Sequence, residues 1–311
     1  MTYMPLPPNA AAAKIQQLVT SRGTLTRSEL VFFGGMTDAA VQRGIQYLRE
    51  NDGAGGRELH DRPDVLGLVE DSGVRNHLKV GIAPLIGDLE TYERALKFLE
   101  AFFQEASGPD HRFNQNFVTP DTSVRRIMYA ATRDTLKGKR LYFLGDDDLT
   151  GAVAAYLYPE TEVFVMDIDA RLLSSVEACA KKYGLGNLKT IVHNAFDELP
   201  AHLHGDADVV WCDPSKAVLD AFLRNASALI GDEGVVYTFA QPEYLPVSRV
   251  FFDVMLKYGM IATDMIPRFN QYCASGQHSR VRAQADGFEL AFTESLVRLV
   301  RLSNGSDVSL P

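Results

Sequence analysis

The sequence predicts an α/β protein: a doubly wound, mostly parallel sheet preceded by a small helical domain. Three observations carry that prediction. From Arg140 onward, short apolar runs alternate with amphipathic helical stretches, the pattern of a parallel sheet. The run Leu141–Leu144 passes straight into the turn Gly145-Asp146-Asp147-Asp148-Leu149-Thr150-Gly151, where such folds open a ligand site. A second apolar run ends in Asp167-Ile168-Asp169, about twenty residues further on. A chain of 311 residues is long enough for two domains with a full core.

The N-terminal part reads as three short helices. The first spans 10–22. The second follows the capping box Thr26-Arg27-Ser28-Glu29. The third covers 37–50, with Val41, Ile45 and Leu48 on one face. Residues 51–56 read as a turn and 66–69 as a short strand, so the segment has a winged-helix-like pattern. Its Lys/Arg and Asp/Glu are nearly balanced, which argues for a docking, lid or dimerisation module over a DNA reader. A helix over 91–106 carries Leu96, Leu99 and Phe103 on one side, and Ser107-Gly108-Pro109-Asp110 then breaks the chain. The expected division is 1–109 for the helical domain and 110–311 for the sheet domain.

Residues 112–126 are read as polar and irregular, leading into a helix that ends near Leu136-Lys137-Gly138. Strands are predicted over 140–145, 162–167, 188–193, 207–213, 234–240, 260–266 and within 290–302, with helices over 171–183 and 218–229. Seven strands in this order resemble the Rossmann-like class I S-adenosylmethionine-dependent transferase fold.

Composition narrows the function. A net charge of −9 disfavours nucleic acid and anionic membranes as partners. The three cysteines, Cys179, Cys212 and Cys273, have no paired or zinc-like spacing, so a reducing, cytoplasmic setting is expected. Residues 1–9 are Pro-rich without a basic start, and no apolar run is long enough to span a bilayer. The histidines form no ligand cluster, and no metal is expected.

The acidic turn is the most telling motif. Phosphate-binding turns at this position are glycine-rich, whereas three consecutive carboxylates repel a pyrophosphate and favour a cation such as a sulfonium nucleoside or a polyamine. Asp167 at the end of the second strand suits the two hydroxyls of a ribose, and Asp169 suits the cap of the next helix. Asn194, Ala195 and Phe196 follow the third strand, where an adenine would lie; a plain capping loop reads equally well. The fourth strand ends in Trp211-Cys212-Asp213-Pro214-Ser215, similar to the Asp-Pro-Pro-Tyr type of motif in enzymes that alkylate amino nitrogens. Trp211 or Tyr237 offers a ring face to a sulfonium, although a tryptophan on a strand is more often core. The stretches 113–126 and 267–272 are dense in polar residues; each reads as a flap or mouth over the ligand, or as an ordinary loop.

Together these pieces resemble the branched-chain polyamine synthases, the N4-bis(aminopropyl)spermidine synthase family. The matching residues are Gly145–Thr150, Asp167–Arg171, Asp213-Pro214 and Arg268–Tyr272, with Gln115, Thr119, Thr122 and Arg125-Arg126. The resemblance implies transfer of an aminopropyl group from decarboxylated S-adenosylmethionine to an amine, with release of methylthioadenosine. It implies a small-molecule amine partner and a winged-helix-like N-terminal domain, through which a homodimer is expected. For the site it assigns Asp146 and Asp148 to the substrate and donor amines, Asp167 to the ribose, and Asp213 to orienting or deprotonating the attacking nitrogen; Ser215 and Tyr237 join Asp146 and Asp213 as catalytic candidates on residue type alone. The donor would meet Gly145, Asp147, Asp148, Asp167, Ile168, Asn194, Ala195 and Phe196. The acceptor would meet Gln115, Thr119, Trp211, Pro214, Phe269, Asn270 and Tyr272. The sequence departs from the family where Asp-Pro-Pro-Glu-Thr is replaced by Asp213-Pro214-Ser215-Lys216-Ala217. Intact S-adenosylmethionine as donor therefore stays open, in an azetidine-forming cyclase or an N-methyltransferase. A non-enzymatic polyamine-sensing regulator is the remaining alternative, and the acidic charge opposes it.

Overall fold

The computed structural model describes residues 6–22, 25–51, 88–113, 115–241, 245–273 and 290–302. Nine helices and seven strands are seen among them. In chain order they are α1 (Pro8–Arg22), α2 (Arg27–Gly34), α3 (Asp38–Glu50), α4 (Leu89–Glu105), α5 (Pro120–Arg133), β1 (Arg140–Leu144), α6 (Thr150–Leu157), β2 (Glu162–Asp167), α7 (Ala170–Tyr183), β3 (Leu188–Val192), β4 (Ala207–Cys212), α8 (Leu219–Leu229), β5 (Ile230–Ala240), α9 (Leu245–Lys257), β6 (Met260–Cys273) and β7 (Leu290–Arg301).

The strands form one sheet in the order β3-β2-β1-β4-β5-β7-β6. β1 to β5 run parallel, and β7 inserts antiparallel between β5 and β6. The chain order reverses between β1 and β4, so a crevice opens at the carboxyl ends of those strands. Alternate residues of each strand face opposite layers. Leu141, Phe143, Val163, Val165, Val209, Trp211, Val235 and Tyr237 pack under α4 to α7. Tyr142, Leu144, Phe164, Met166, Val210, Cys212 and Val236 pack under α8 and α9.

The predicted capping box is formed: Glu29 N donates to Thr26 Oγ1 at 3.2 Å, and Thr26 N donates to Glu29 Oε2 at 3.0 Å. Val41, Ile45 and Leu48 are buried in a separate cluster of α1 to α3, which also takes in Leu290 at the start of β7. Residues 52–56 of the expected turn and the strand at 66–69 lie outside the described residues.

Helix α4, which the expected division at 109 leaves with the N-terminal part, buries Phe98, Leu99, Phe102 and Phe103 in the core beside the sheet, where that aromatic face covers the flank of α5 to α7. Two expectations are corrected. Residues 120–126 are not irregular. They are the first half of α5, begun by Thr119 as N-cap and Pro120, and Asp121, Thr122, Ser123, Arg125 and Arg126 are all buried. Finally, 267–272 is not a loop after the sixth strand. β6 continues through it to Cys273, past an irregularity where Arg268 adopts a φ of 57°.

Candidate active site

The acidic turn is shaped by its backbone. Gly145 has a φ of 70°, and its N–H donates to Met166 O of β2 at 2.8 Å. Asp146 turns inward, where its carboxylate accepts the first N–H groups of α6 from Thr150 and Gly151, each at 2.8 Å. Gly151 is needed there: a Cβ would lie 2.9 Å from that carboxylate and 2.8 Å from Val165. Asp148 also turns inward, to Val118 N at 2.8 Å and Arg126 Nη1 at 2.7 Å. Of the three carboxylates, only Asp147 faces the crevice.

Arg126 organises the wall beside the turn. Its guanidinium is 3 % exposed and lies 4.1 Å from the Phe239 ring centre. Besides Asp148 it reaches Asp213 Oδ2 at 2.7 Å and Asn270 Oδ1 at 3.1 Å. Tyr272 donates its hydroxyl to Asp213 as well, and that hydroxyl lies 3.1 Å from Glu294 Oε2. α5, the β1 turn, the end of β4, β6 and β7 therefore converge on one buried ionic network.

Two cavities of about 340 and 350 Å³ open at this edge, and they share Asp147, Asp213 and Ser215. The larger is lined by Gly145, Asp167, Ile168, His193, Asn194, Ala195, Phe196 and Gln115, with Met166 and Phe222 as apolar floor. The Ala195 carbonyl is fixed by Arg224 and Asn225. Gln115 spans Asp110 N and Asp169, and Asp169 caps α7 as expected. The second cavity is walled by Pro214, Lys216, Phe239, Tyr272, Phe292 and Glu294.

Several expected site residues lie elsewhere. Tyr237 is fully buried and bonds Asp134. Trp211 stacks between Phe143 and Tyr237 at 4.8 and 5.1 Å, because the parity of β4 and β5 turns both rings into the layer under α5. Trp211 and Asp146 meet only a crevice of about 10 Å³ behind the turn. Phe269 is core under Tyr129, Thr119 is spent on capping α5, and Asn270 serves Arg126; none lines either large cavity. The network partners Arg126 and Glu294 were not among the expected site residues. Arg126 was signalled only by the resemblance, and Glu294 by nothing local.

Burial raises the Asp146 carboxyl to about 7, against the pull of its two backbone N–H bonds and with the help of the Asp148 charge. Burial also raises Asp213 and Glu294, each repelled by a neighbouring carboxylate: Asp148 for Asp213, and Asp213 for Glu294. A carboxyl group that holds its proton more tightly in the folded protein stabilises the fold at low pH. That contribution is lost as pH rises from the ordinary carboxylate range to the raised value. The melting temperature of the unliganded protein is thus expected to fall between about pH 5 and about pH 7. Asp110, held near 2 by Arg112, acts below that window. Melting curves across the range would contradict this by staying level or rising.

Among the described residues no cluster of His, Cys, Asp and Glu is placed to hold a metal, and no helix is long and apolar enough to cross a membrane. The sequence profile of the branched-chain polyamine synthase A C-terminal domain matches residues 95–289. The chain belongs to this family. Relatives include the N(4)-bis(aminopropyl)spermidine synthases of Thermus thermophilus (31 % identical, over 64 % of this chain and 59 % of the relative) and Thermococcus kodakarensis (26 %, over 63 % and 58 %). An uncharacterised protein of Methanocaldococcus jannaschii is 32 % identical over 59 % of this chain and 47 % of its own length. The chain thus spans about half to three-fifths of the length of these relatives. The C9 mutein of the Thermus thermophilus branched-chain polyamine synthase, solved with N4-aminopropylspermidine and 5′-methylthioadenosine, shares the fold at a TM-score of 0.68. Its identity is 24 %, over 94 % of this chain and 87 % of that one. The fold of branched-chain polyamine synthases is therefore that of the sheet described above.

Proposed function

We propose that the protein moves an aminopropyl group from decarboxylated S-adenosylmethionine to an amine nitrogen of a polyamine and releases methylthioadenosine. The observation that carries this reading is the pair of cavities joined at Asp147, Asp213 and Ser215. One suits a nucleoside and the other, walled by carboxylates, suits a cationic chain. Membership of the family supports it. The catalytic unit begins ahead of α4, whose aromatic face belongs to the sheet core.

In the larger cavity Asp167 takes the ribose hydroxyls. Asn194, Ala195 and Phe196 take the adenine, with Ile168 and Phe222 against its faces. The donor's three-carbon chain points to the junction, where Asp147 holds its terminal ammonium. The acceptor lies along Tyr272 and Pro214, with Asp213 orienting the attacking nitrogen. The nitrogen lone pair attacks the carbon next to sulfur, the C–S electron pair passes to sulfur, and neutral methylthioadenosine leaves. Bringing the two centres into line within one site is the main source of rate, and the loss of the sulfonium charge favours departure from an acidic pocket.

Lys216 at the rim of the acceptor cavity supports a second reading, in which intact S-adenosylmethionine binds through its carboxylate and closes an azetidine ring on itself. Mass spectrometry of two reactions decides between them. Methylthioadenosine with an aminopropylated amine, formed only from decarboxylated donor plus spermidine, is the expected result. Methylthioadenosine from S-adenosylmethionine alone would establish the second reading, and S-adenosylhomocysteine would overturn both in favour of methyl transfer.

A further inference from the structure

The acceptor cavity holds one more ionisable group, brought by the strand inserted last into the sheet. Glu294 pairs across β7 with Asn270 of β6, and its carboxylate lines the same wall as Asp213. The Tyr272 hydroxyl touches both carboxylates, and its ring is fixed by stacking on Phe292 at 4.3 Å. A phenol has one proton, so it donates to only one carboxylate at a time. The other must bring its own proton or face an oxygen lone pair. Arg126 at 2.7 Å favours the ionised form of Asp213 against its burial. Among the described residues no cation pairs with Glu294 in this way: both Nη atoms of Arg126 are committed to Asp148 and Asp213. Its close partners are neutral, Tyr272 from β6 and Gln241 from the end of β5. The charged groups around it among the described residues are Asp213 and Lys216 after β4, Asp147 and Asp148 in the β1 turn, and Arg126 of α5. The proton of the Asp213–Tyr272–Glu294 trio therefore resides on Glu294 in the unliganded site.

We infer that Glu294 is the general base of the transfer, taking the proton from the acceptor's attacking nitrogen, and that Asp213 only aims that nitrogen. This rests on the aminopropyl-transfer reading above. A polyamine arrives as an ammonium, because free amines titrate near ~10. Its charge in the cavity drives the resting proton of Glu294 into solvent. The carboxylate so formed then accepts one N–H proton from the ammonium, leaving a neutral amine with a free lone pair. After attack the new N–C bond leaves a cationic nitrogen on the product, and Glu294 keeps the acceptor's proton, which restores its resting state. The transfer thus releases one proton per turnover, the resting proton displaced when the acceptor binds. Raised proton affinity suits this task better than the charge-paired Asp213. The loop after β4 carries Ser215 and Lys216 and offers no carboxylate of its own beyond Asp213.

The test compares wild type with Glu294→Gln in two measurements. The first is calorimetry of spermidine binding at pH 7.5 in two buffers of different ionisation enthalpy, with methylthioadenosine present. Wild type is expected to release close to one proton and Glu294→Gln close to none. The affinity of each protein for methylthioadenosine is the check that the variant is folded. The second is the pH profile of turnover. Glu294→Gln is expected to lose about 10²–10³-fold in kcat near neutrality, with the loss shrinking toward pH 10 as free amine appears. Equal proton release by the two proteins, or an unchanged kcat and profile in the variant, would overturn the inference alone. Failure of spermidine to bind wild type would overturn the functional reading and this inference with it.

Discussion

Replacing Arg126 with Met is expected to destabilise the fold by roughly 3–5 kcal/mol, the usual cost of removing one partner from a buried ion pair. The guanidinium is 3 % exposed and its three nitrogens serve four oxygens: Asp148 at 2.7 Å, Thr150 at 3.3 Å, Asp213 at 2.7 Å and Asn270 at 3.1 Å. Methionine fills much of the same volume but leaves Asp148 and Asp213 facing each other without a cation. Asp148 keeps the Val118 N–H, and Asp213 keeps Tyr272. Those bonds do not offset the repulsion of two desolvated charges, so the variant should bind protons at this site near neutral pH. Two consequences follow for measurement. In urea titrations the deficit should be largest at pH 8 and should shrink toward pH 5. Arg126→Lys should recover only part of it, because a single ammonium cannot hold the fork to Asp148, Asp213 and Asn270. A variant within about 1 kcal/mol of wild type at pH 8 would show that the network contributes little to stability.

The same residue shows where the sequence stops being readable. The sheet was legible because strand and helix periods differ and because β1, β2, β4 and β5 are buried as apolar runs. The capping box, the tight turn and the Asp169 cap were legible because each is a local hydrogen-bonding device. α5 was not. Reading polar density as solvent exposure fails when the polar residues neutralise one another, and Asp121 with Arg125, and Asp148 with Arg126, do so inside the protein. Tyr237 and Trp211 were assigned to the site by residue type, but strand parity decides which layer a ring enters, and that depends on register. Phe269 and Asn270 were placed in a mouth because 267–272 reads as following the sixth strand, whereas β6 bends and runs on. Glu294 had no signal at all. It reaches the cavity only because β7 inserts between β5 and β6, a pairing of residues far apart in the chain.

Asp147→Asn is expected to lower kcat/KM by about 10²–10³-fold, roughly 3–4 kcal/mol of transition-state binding, with little change in stability. The three aspartates of the turn are chemically identical, and the backbone gives each a different task. Between Gly145 at φ 70° and Leu149 at φ 60°, the chain turns so that the first and third carboxylates point into the protein and the second points out. Asp146 is spent on the N-terminus of α6, and Asp148 on Arg126 and Val118. Asp147 stands where both cavities meet, so it is the turn residue that a cationic donor chain and a cationic acceptor can reach together. Removing its charge takes away attraction for the ammonium groups without opening a hole, since asparagine has nearly the same shape. Asp146→Asn should divide the effects the other way. An amide offers one acceptor where two N–H groups need two, so stability should drop by about 1–3 kcal/mol. Donor affinity should then follow the integrity of the turn. Measuring kcat/KM and denaturation midpoints on both variants separates the roles. Asp147→Asn with activity within about threefold of wild type would place the recognition of the ammonium groups elsewhere, with Asp213 and Glu294 as the other carboxylates of that cavity among the described residues.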